Sequence, residues 1–445
     1  MAAQSLPGPN EYVLAAQKRV CTGPHLSRPL EDPEEVLRVI AASASGDLPR
    51  EQTVSDAQIG ALFGAMCVRR TFSADTNWSA GETEAFAHLA PSLERHAYLL
   101  DGDTGIDSVD TVLSGGHLTR AATRDLLTRI SAGDVATEIA AAFLIGQRMN
   151  VESDDELLGY VDLCGPQQPP QLSVDGVIHL GEPYDGMKRY FRPTLFVAAT
   201  CAAMGHNVVL HGVDTMPPKN GVTDEQLLRI LGAGCDLDMR RAAALVEDPD
   251  VGFAYINQRE FAPRAFAFAE LRSHIKKRPP FATAEKTAVI FRGARQTHVV
   301  AGFFHPGYDH KLLVAMNDQA VDIGVAVKGL EGSTNLALRS RADKQTFNKI
   351  RTKHGDSHVD PSDLGFSYTE NHRLRGDGQQ IADLGGAALL GQAGAAYDAI
   401  ALNAAWLVAT IETATSAAEA LERAKDALDS RAAARRLDNY IARSQ

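Results

Sequence analysis

Cysteine is scarce: five in 445 residues, at Cys21, Cys67, Cys164, Cys201 and Cys235. None forms a CxxC pair, and an odd, widely spaced set argues against both a disulfide framework and a zinc site. It fits reduced thiols in a cytosolic setting, with Cys201, in an apolar stretch, read as core filler. Positive charge is also short. Lys and Arg number 44 against 56 Asp and Glu, a formal net charge of −12. Such a surface disfavours nucleic acid as a general partner and leaves only a local basic patch, such as Lys276-Lys277-Arg278, to bind it. Long apolar runs are missing. The segment Ala395 to Thr410 carries Asp398 and Asn403 and reads as a buried helix, so no membrane span is expected. The N-terminal stretch holds Pro7, Pro9, Pro24 and Pro29 without an apolar h-region and fits no secretory signal. A cytoplasmic protein is expected, or a plastid stromal one if the source is a photosynthetic eukaryote. Also absent are a P-loop lysine motif, HExxH, GxSxG and a complete dinucleotide fingerprint.

What is present divides the chain by pattern. Residues 1–33 read as a loosely ordered lead-in. Residues 34–110 form a helical extension, with Pro33-Glu34-Glu35 opening one helix, Ser55-Asp56 capping Ala57 to Arg69, and a third helix running from Ser79 to about His96. A second helical set spans 111–170, including Arg120 to Ile130 and Ala136 to Met149. The two sets echo each other 80 residues apart: Ile59, Ala61 and Phe63 match Ile139, Ala141 and Phe143. The echo is read either as a duplicated module or as a chance likeness of two amphipathic helices.

From about residue 171 to 445 strands and helices alternate. Buried-strand candidates are Val177 to Leu180, Val208 to Leu210, Val251 to Ile256, Thr287 to Phe291, His298 to Phe304 and Ile323 to Val327. Helices between them imply a mostly parallel or mixed sheet with helices on its faces. The stretch from Leu330 to about Asp377 is polar and irregular, and helices return from Asp383. The expected fold is therefore α/β: a small helical N-terminal domain joined to an α/β/α domain, with ligand in the cleft between them.

The richest stretch runs from Gly181 to Gly221. Gly181-Glu182-Pro183-Tyr184-Asp185-Gly186 is turn chemistry at a strand end, Thr194 to Met204 is an apolar helix, and Val208 to Leu210 is a strand. His211-Gly212 closes that strand, and Lys219 and Gly221 stand in the next loop. Ligands of open α/β sheets bind beyond the carboxyl ends of strands, so the two loops should meet there.

His211-Gly212, Lys219 and Gly221 follow a His-Gly-x6-Lys-x-Gly pattern that resembles the anthranilate phosphoribosyltransferase family, glycosyltransferase family 3. The likeness extends from about Leu118 to Leu437 and includes Gly385-Gly386 through Asn403-Ala-Ala. It implies the nucleoside phosphorylase/phosphoribosyltransferase-like fold and a homodimer through the helical domain. It implies phosphoribosyl pyrophosphate as donor, held by Gly181, Asp185, Thr194, His211, Gly212, Lys219 and Gly221. It also implies an acceptor carboxylate gripped by Arg272, and it leaves room for Mg²⁺ at Glu331 without implying the metal. The departures are concentrated in the donor site. The family's Gly-Thr-Gly-Gly-Asp loop is Gly181-Glu182-Pro183-Tyr184-Asp185 here, in which Pro183 offers no N–H, Tyr184 adds bulk and Glu182 adds a charge beside a polyanion. The family's Asp-Glu magnesium pair is replaced by Leu330-Glu331-Gly332, one carboxylate in place of two. Two functions are thus expected: pentosyl transfer from an activated donor to an unidentified small acceptor, or a non-catalytic homodimer contacting nucleotide or single-stranded nucleic acid.

Overall fold

The computed structural model describes residues 9–339, 348–371, 373–374 and 376–445. The chain forms two compact units. One comprises Met1–Leu163 together with Arg264–Ala282, and the other Cys164–Pro263 with Thr283–Gln445.

The first unit is helical. Its centre is a pair of helices, Asp56–Arg69 and Thr137–Asn150, the two segments that echo each other in sequence. Helix Asp56–Arg69 is buried along nearly its whole length, because Gly60 and Gly64 let the second helix approach almost to backbone contact. Capping boxes at Ser55/Gln58, Ser79/Glu82 and Ser153/Glu156 start three of the helices, each satisfying two otherwise orphaned amides. The lead-in holds a helix, Glu11–Val20, where a loose segment was expected. Asn10 caps this helix, which buries Val13, Leu14, Ala16 and Val20. The helix expected from Ser79 to His96 stops at Ala87, and a 3-10 turn, Pro91–His96, follows, since Pro91 cannot continue the ladder.

The second unit is built on seven strands: β1 (Gly176–Gly181), β2 (Val208–Gly212), β3 (Phe253–Asn257), β4 (Gln296–Gly302), β5 (Ile323–Val327), β6 (Lys349–Thr352) and β7 (Gly355–His358). Their order is β3-β2-β1-β4-β5-β6-β7. The first five are parallel and the last two add an antiparallel hairpin at one edge, so the sheet is mixed. The chain winds outward from β1 to β3 and then, from β4, in the other direction, which makes the β1/β4 boundary the topological switch point. Helix Thr194–Ala203 is buried from Thr194 through Ala202. Gly385 admits the Phe196 ring to within 2.1 Å of where a Cβ would stand.

One expected strand does not form. Thr287 to Phe291 is buried, but only Thr287 enters a regular element, a 3-10 turn. The amides of Ile290 and Phe291 donate to the ring of His179 instead of to a neighbouring strand. Among the described residues, no helix is long and apolar enough to cross a membrane.

Candidate functional site

Two loops leave the carboxyl ends of β1 and β2 and are zipped together. The Gly221 amide donates to the Asp185 carbonyl at 2.8 Å, and Met187 and Val222 exchange both backbone bonds at 2.8 and 3.0 Å. Glycine is required on both sides of this seam. A Cβ on Gly186 (φ +74) would lie 2.3 Å from the Gly221 oxygen, and one on Gly221 would lie 2.7 Å from the Met187 backbone. Gly181 is similarly constrained, with the Lys286 carbonyl 1.8 Å from a Cβ position.

The seam delivers two of the sequence candidates to one point, and a third joins them there. Lys219 Nζ lies 3.6 Å from Asp185 Oδ1 and 3.5 Å from Glu331 Oε2, Glu331 arriving from the loop after β5. Glu331 Oε1 accepts the Arg189 amide at 2.7 Å and the Lys188 amide at 3.2 Å, and Oε2 accepts Lys188 at 3.2 Å as well. The Arg189 guanidinium stands 3.8 Å from Oε2. Consecutive amides aimed at one carboxylate, with two cations behind it, make an anion nest. Sequence reasoning missed Lys188 and Arg189. The adjacent basic pair was the only available signal, and the contributing amides carry no residue-type signature.

The other candidates take supporting positions. Thr194 begins its helix and hydrogen-bonds the Asn335 side chain at 3.0 Å. Gly212 ends β2, where a Cβ would meet only ordinary contacts. His211 is buried and neutral: burial, with a smaller push from His179, lowers its pKa to about 3. Its Nδ1 lies 2.7 Å from the Tyr184 hydroxyl, which is 3.3 Å from the Glu285 carbonyl. One arrangement satisfies both contacts: Nδ1–H donates to the tyrosine oxygen, and the tyrosine O–H donates to the carbonyl. His211 therefore brings no positive charge to this part of the fold and would meet a phosphate only as a neutral ring. Tyr184, expected only as bulk, is its partner.

Glu182 also differs from expectation. Its carboxylate does not face the nest. It accepts the Thr334 amide at 2.9 Å and the Thr334 hydroxyl, with Arg192 at 3.7 Å. Burial pushes its pKa up, against the pull of Arg192. Arg192 is itself held by a two-pronged pair with Asp224 at 2.8 and 2.6 Å, the fork geometry that favours arginine. Arg272 belongs to the helical unit, buried in helix Ala269–Ser273. The run Lys276-Lys277-Arg278 follows it, the Lys276 amide donating to Gln17 Oε1 at 2.9 Å.

Mg²⁺ does not fit Glu331 as the structure presents it. Its oxygens are taken by amides, and an ammonium stands between its carboxylate and that of Asp185. Among the described residues no group of three or more His, Cys, Asp or Glu could hold a metal ion.

A parallel-centred mixed sheet with its loops gathered at the strand ends, in a chain that also carries a helical unit, defines a two-unit α/β protein. Its family follows from comparison. The model of the glycosyl transferase family α/β domain matches residues 189–434, more than half of the chain, and that of the family's helical bundle domain matches 107–163. The chain belongs to this family, glycosyltransferase family 3, as an anthranilate phosphoribosyltransferase-like member. The altered loop, Gly181 to Asp185, lies between the two matched segments. The anthranilate phosphoribosyltransferase of Stenotrophomonas maltophilia (strain R551-3) is 26% identical over 324 residues, covering 71% of this chain and 91% of its own. That of Thermomicrobium roseum is 27% identical over 336 residues, with 74% and 93% covered. Among solved structures, the Thermus thermophilus enzyme superposes with a TM-score of 0.59 at 20% identity, over 76% of this chain and 99% of its own. The Saccharomyces cerevisiae enzyme in complex with PRPP and Mg gives 0.62 at 15% identity, over 76% and 97%.

Proposed function

We propose that the protein transfers a phosphoribosyl group from phosphoribosyl pyrophosphate to a small acceptor. The observation that carries this reading is the convergence of the Lys188 and Arg189 amides, Lys219 and the Arg189 guanidinium on a single carboxylate. A site that holds one anion with these donors has the equipment for a departing pyrophosphate. In this chemistry the bond from the sugar's anomeric carbon to the pyrophosphate oxygen breaks. The carbon becomes cationic, and the acceptor's lone pair closes on it. The acceptor's proton is lost to solvent or to the leaving group. Catalysis then depends on neutralising the leaving group and orienting the acceptor, more than on a general base. Lys219, Arg189 and the two amides serve the leaving group. His211 and Tyr184 hold the first loop in shape. Arg272 is assigned to an acceptor carboxylate on the strength of the family likeness, and anthranilate is the first acceptor to try. The relatives' names favour transfer, and no observation supports the non-catalytic reading.

The test is thermal shift with phosphoribosyl pyrophosphate, followed by pyrophosphate release on adding anthranilate and other aromatic amines. A donor at a hundred times its dissociation constant stabilises the fold by about 2.7 kcal/mol, and Lys219→Met, binding about tenfold more weakly, should cut that to about 1.4 kcal/mol. A wild-type melting temperature unmoved by the donor would refute the proposal.

A further inference from the structure

We infer that the nest is a metal-independent phosphate site in which the Glu331 carboxylate stands in for the phosphate when none is bound, with Lys219 as the fixed counter-cation. This rests on the donor reading above and adds to it how the site is charged and what must leave it.

Three observations point the same way. First, Glu331 is bound as an anionic ligand would be. Both oxygens accept main-chain amides, Oε1 from Lys188 and Arg189 and Oε2 from Lys188, and Oε2 also faces Lys219 and Arg189. Its side chain is 2% exposed.

Second, the backbone bends to put it there. Glu331 has φ +54 and ψ +19, a left-handed conformation, and Gly332 after it has φ +81. A non-glycine residue in that region costs about 1–2 kcal/mol, and strain of this kind persists where surrounding bonds impose it. Glycine would take the position without strain. The carboxylate's contacts to the nest offset the cost.

Third, the position between the two carboxylates is already taken by a monocation. Mg²⁺ needs oxygen ligands at about 2.0–2.1 Å in near-octahedral array. Glu331 could supply one only by releasing its amides, and it would have to do so beside the Lys219 ammonium. Gly332 offers no second carboxylate. With Asp185 and Glu331 against Lys219, this trio carries two negative charges and one positive. Once Glu331 swings out and a phosphate enters, Lys219 and Arg189 face the newcomer directly. The loop beyond is pinned and need not move: Thr334 bonds Glu182, the Leu336 amide donates to Asn403 Oδ1 at 2.7 Å, and the Ala337 amide to Asn348 Oδ1 at 2.7 Å.

The two roles for Glu331 predict opposite signs. A metal ligand helps the phosphate bind, whereas a stand-in competes with it. Calorimetric titration with inorganic pyrophosphate, in EDTA and again with Mg²⁺, separates them. Wild type, Glu331→Gly, Glu331→Gln and Lys219→Met are compared, with circular dichroism to confirm folding. Glu331→Gly removes carboxylate and backbone strain together, so it protects the test against a variant that fails to fold. In EDTA, both Glu331 variants should bind pyrophosphate about tenfold more tightly than wild type and Lys219→Met about tenfold more weakly, the scale of one charge-assisted hydrogen bond. Mg²⁺ should leave that order unchanged. Binding that appears only with Mg²⁺ and disappears in the Glu331 variants would overturn the inference and leave the donor reading standing. Glu331 variants no tighter than wild type would also overturn it. No binding by any variant in either buffer would end both.

Discussion

His179 is fixed in one protonation state by its neighbours. Its Nδ1 lies 3.3 Å from the His298 carbonyl, to which it donates, and its Nε2 accepts the Ile290 and Phe291 amides at 3.2 Å each. A proton on Nε2 would expel both donors. Burial accordingly lowers its pKa to about 4, lowers His298 to about 4, and lowers His211 to about 3. All three are neutral in the fold, whereas the unfolded chain protonates them near 6.5. Their contribution is complete above that value and is lost as pH falls toward about 4, at up to about 1.4 kcal/mol per pH unit for each ring. Urea midpoints should therefore drop steeply between about pH 6.5 and 4.5. His179→Gln, whose amide oxygen can replace Nε2, should flatten part of that slope. His179→Leu should cost about 2–6 kcal/mol near neutral pH, since it strands two buried amides at about 1–3 kcal/mol each. A slope equally steep in His179→Gln would show that this ring does not contribute. Sequence could nominate Asp185, Lys219 and Glu331 from their loops, and the structure brings them together. It could not show the amides of Lys188 and Arg189, because every residue but proline carries that donor. Nor could it show that the Glu182 charge is answered by Arg192 and Thr334.

The packing of helix Asp56–Arg69 on Thr137–Asn150 follows from a stripe of small residues. A Cβ on Gly60 would lie 2.0 Å from the Glu138 carbonyl, and one on Gly64 would lie 2.6 Å from the Ala142 Cβ. Both contacts advance by four residues, so the helices run in the same direction and touch along successive turns. Gly60→Ala pushes a methyl into main chain that cannot yield and should destabilise the protein by about 3 kcal/mol. Gly81→Ala, in helix Ala80–Ala87 with nothing within 4 Å of its Cβ, should be neutral or stabilise by about 0.5 kcal/mol. Melting temperatures of the two variants check the pair, and equal shifts would refute the packing account. Strands β1 to β5 were legible because each centres on an apolar run with a turn residue after it. The β6–β7 hairpin was not: Lys349–Thr352 and Gly355–His358 hold Ile350 as their single large apolar side chain, at an edge where little burial is needed. Thr287 to Phe291 misled for the opposite reason, being apolar enough for a strand while its amides are committed to a histidine ring.

The family's helical bundle match begins at residue 107, yet the helical unit reaches back to the start of the described chain. The earlier helices are part of its core. Helix Asp56–Arg69 covers Ala142 and its neighbours, and Glu11–Val20 and Ser55 tie down the Arg264–Ala282 segment that returns to this unit. Gln17 Nε2 donates to the His274 carbonyl at 3.2 Å and Gln17 Oε1 accepts the Lys276 amide at 2.9 Å. Ser55 Oγ meets His274 Nδ1 at 2.8 Å. Gln17, Ser55 and His274 are buried, so removing one side strands the other. A chain beginning just before residue 107 would keep both segments matched by the family models and lose this cover. It would expose the apolar face of Thr137–Asn150, from Ala140 to Ile145, and leave His274 and Lys276 without these bonds. The expected result is a protein that self-associates or precipitates, while the full chain runs as a defined species. Size-exclusion chromatography with light scattering, at several concentrations, reads this directly. A truncated protein that matches the full chain in melting temperature and keeps a concentration-independent mass would show that the extension is an appendage and the family bundle is sufficient. Gln17→Leu in the full chain is the finer probe. It retains the helix and its apolar contacts and removes only the bonds of the Gln17 amide, those to His274 and Lys276 among them. Amide exchange should then quicken around Arg272 to Arg278 before it changes at Thr137–Asn150.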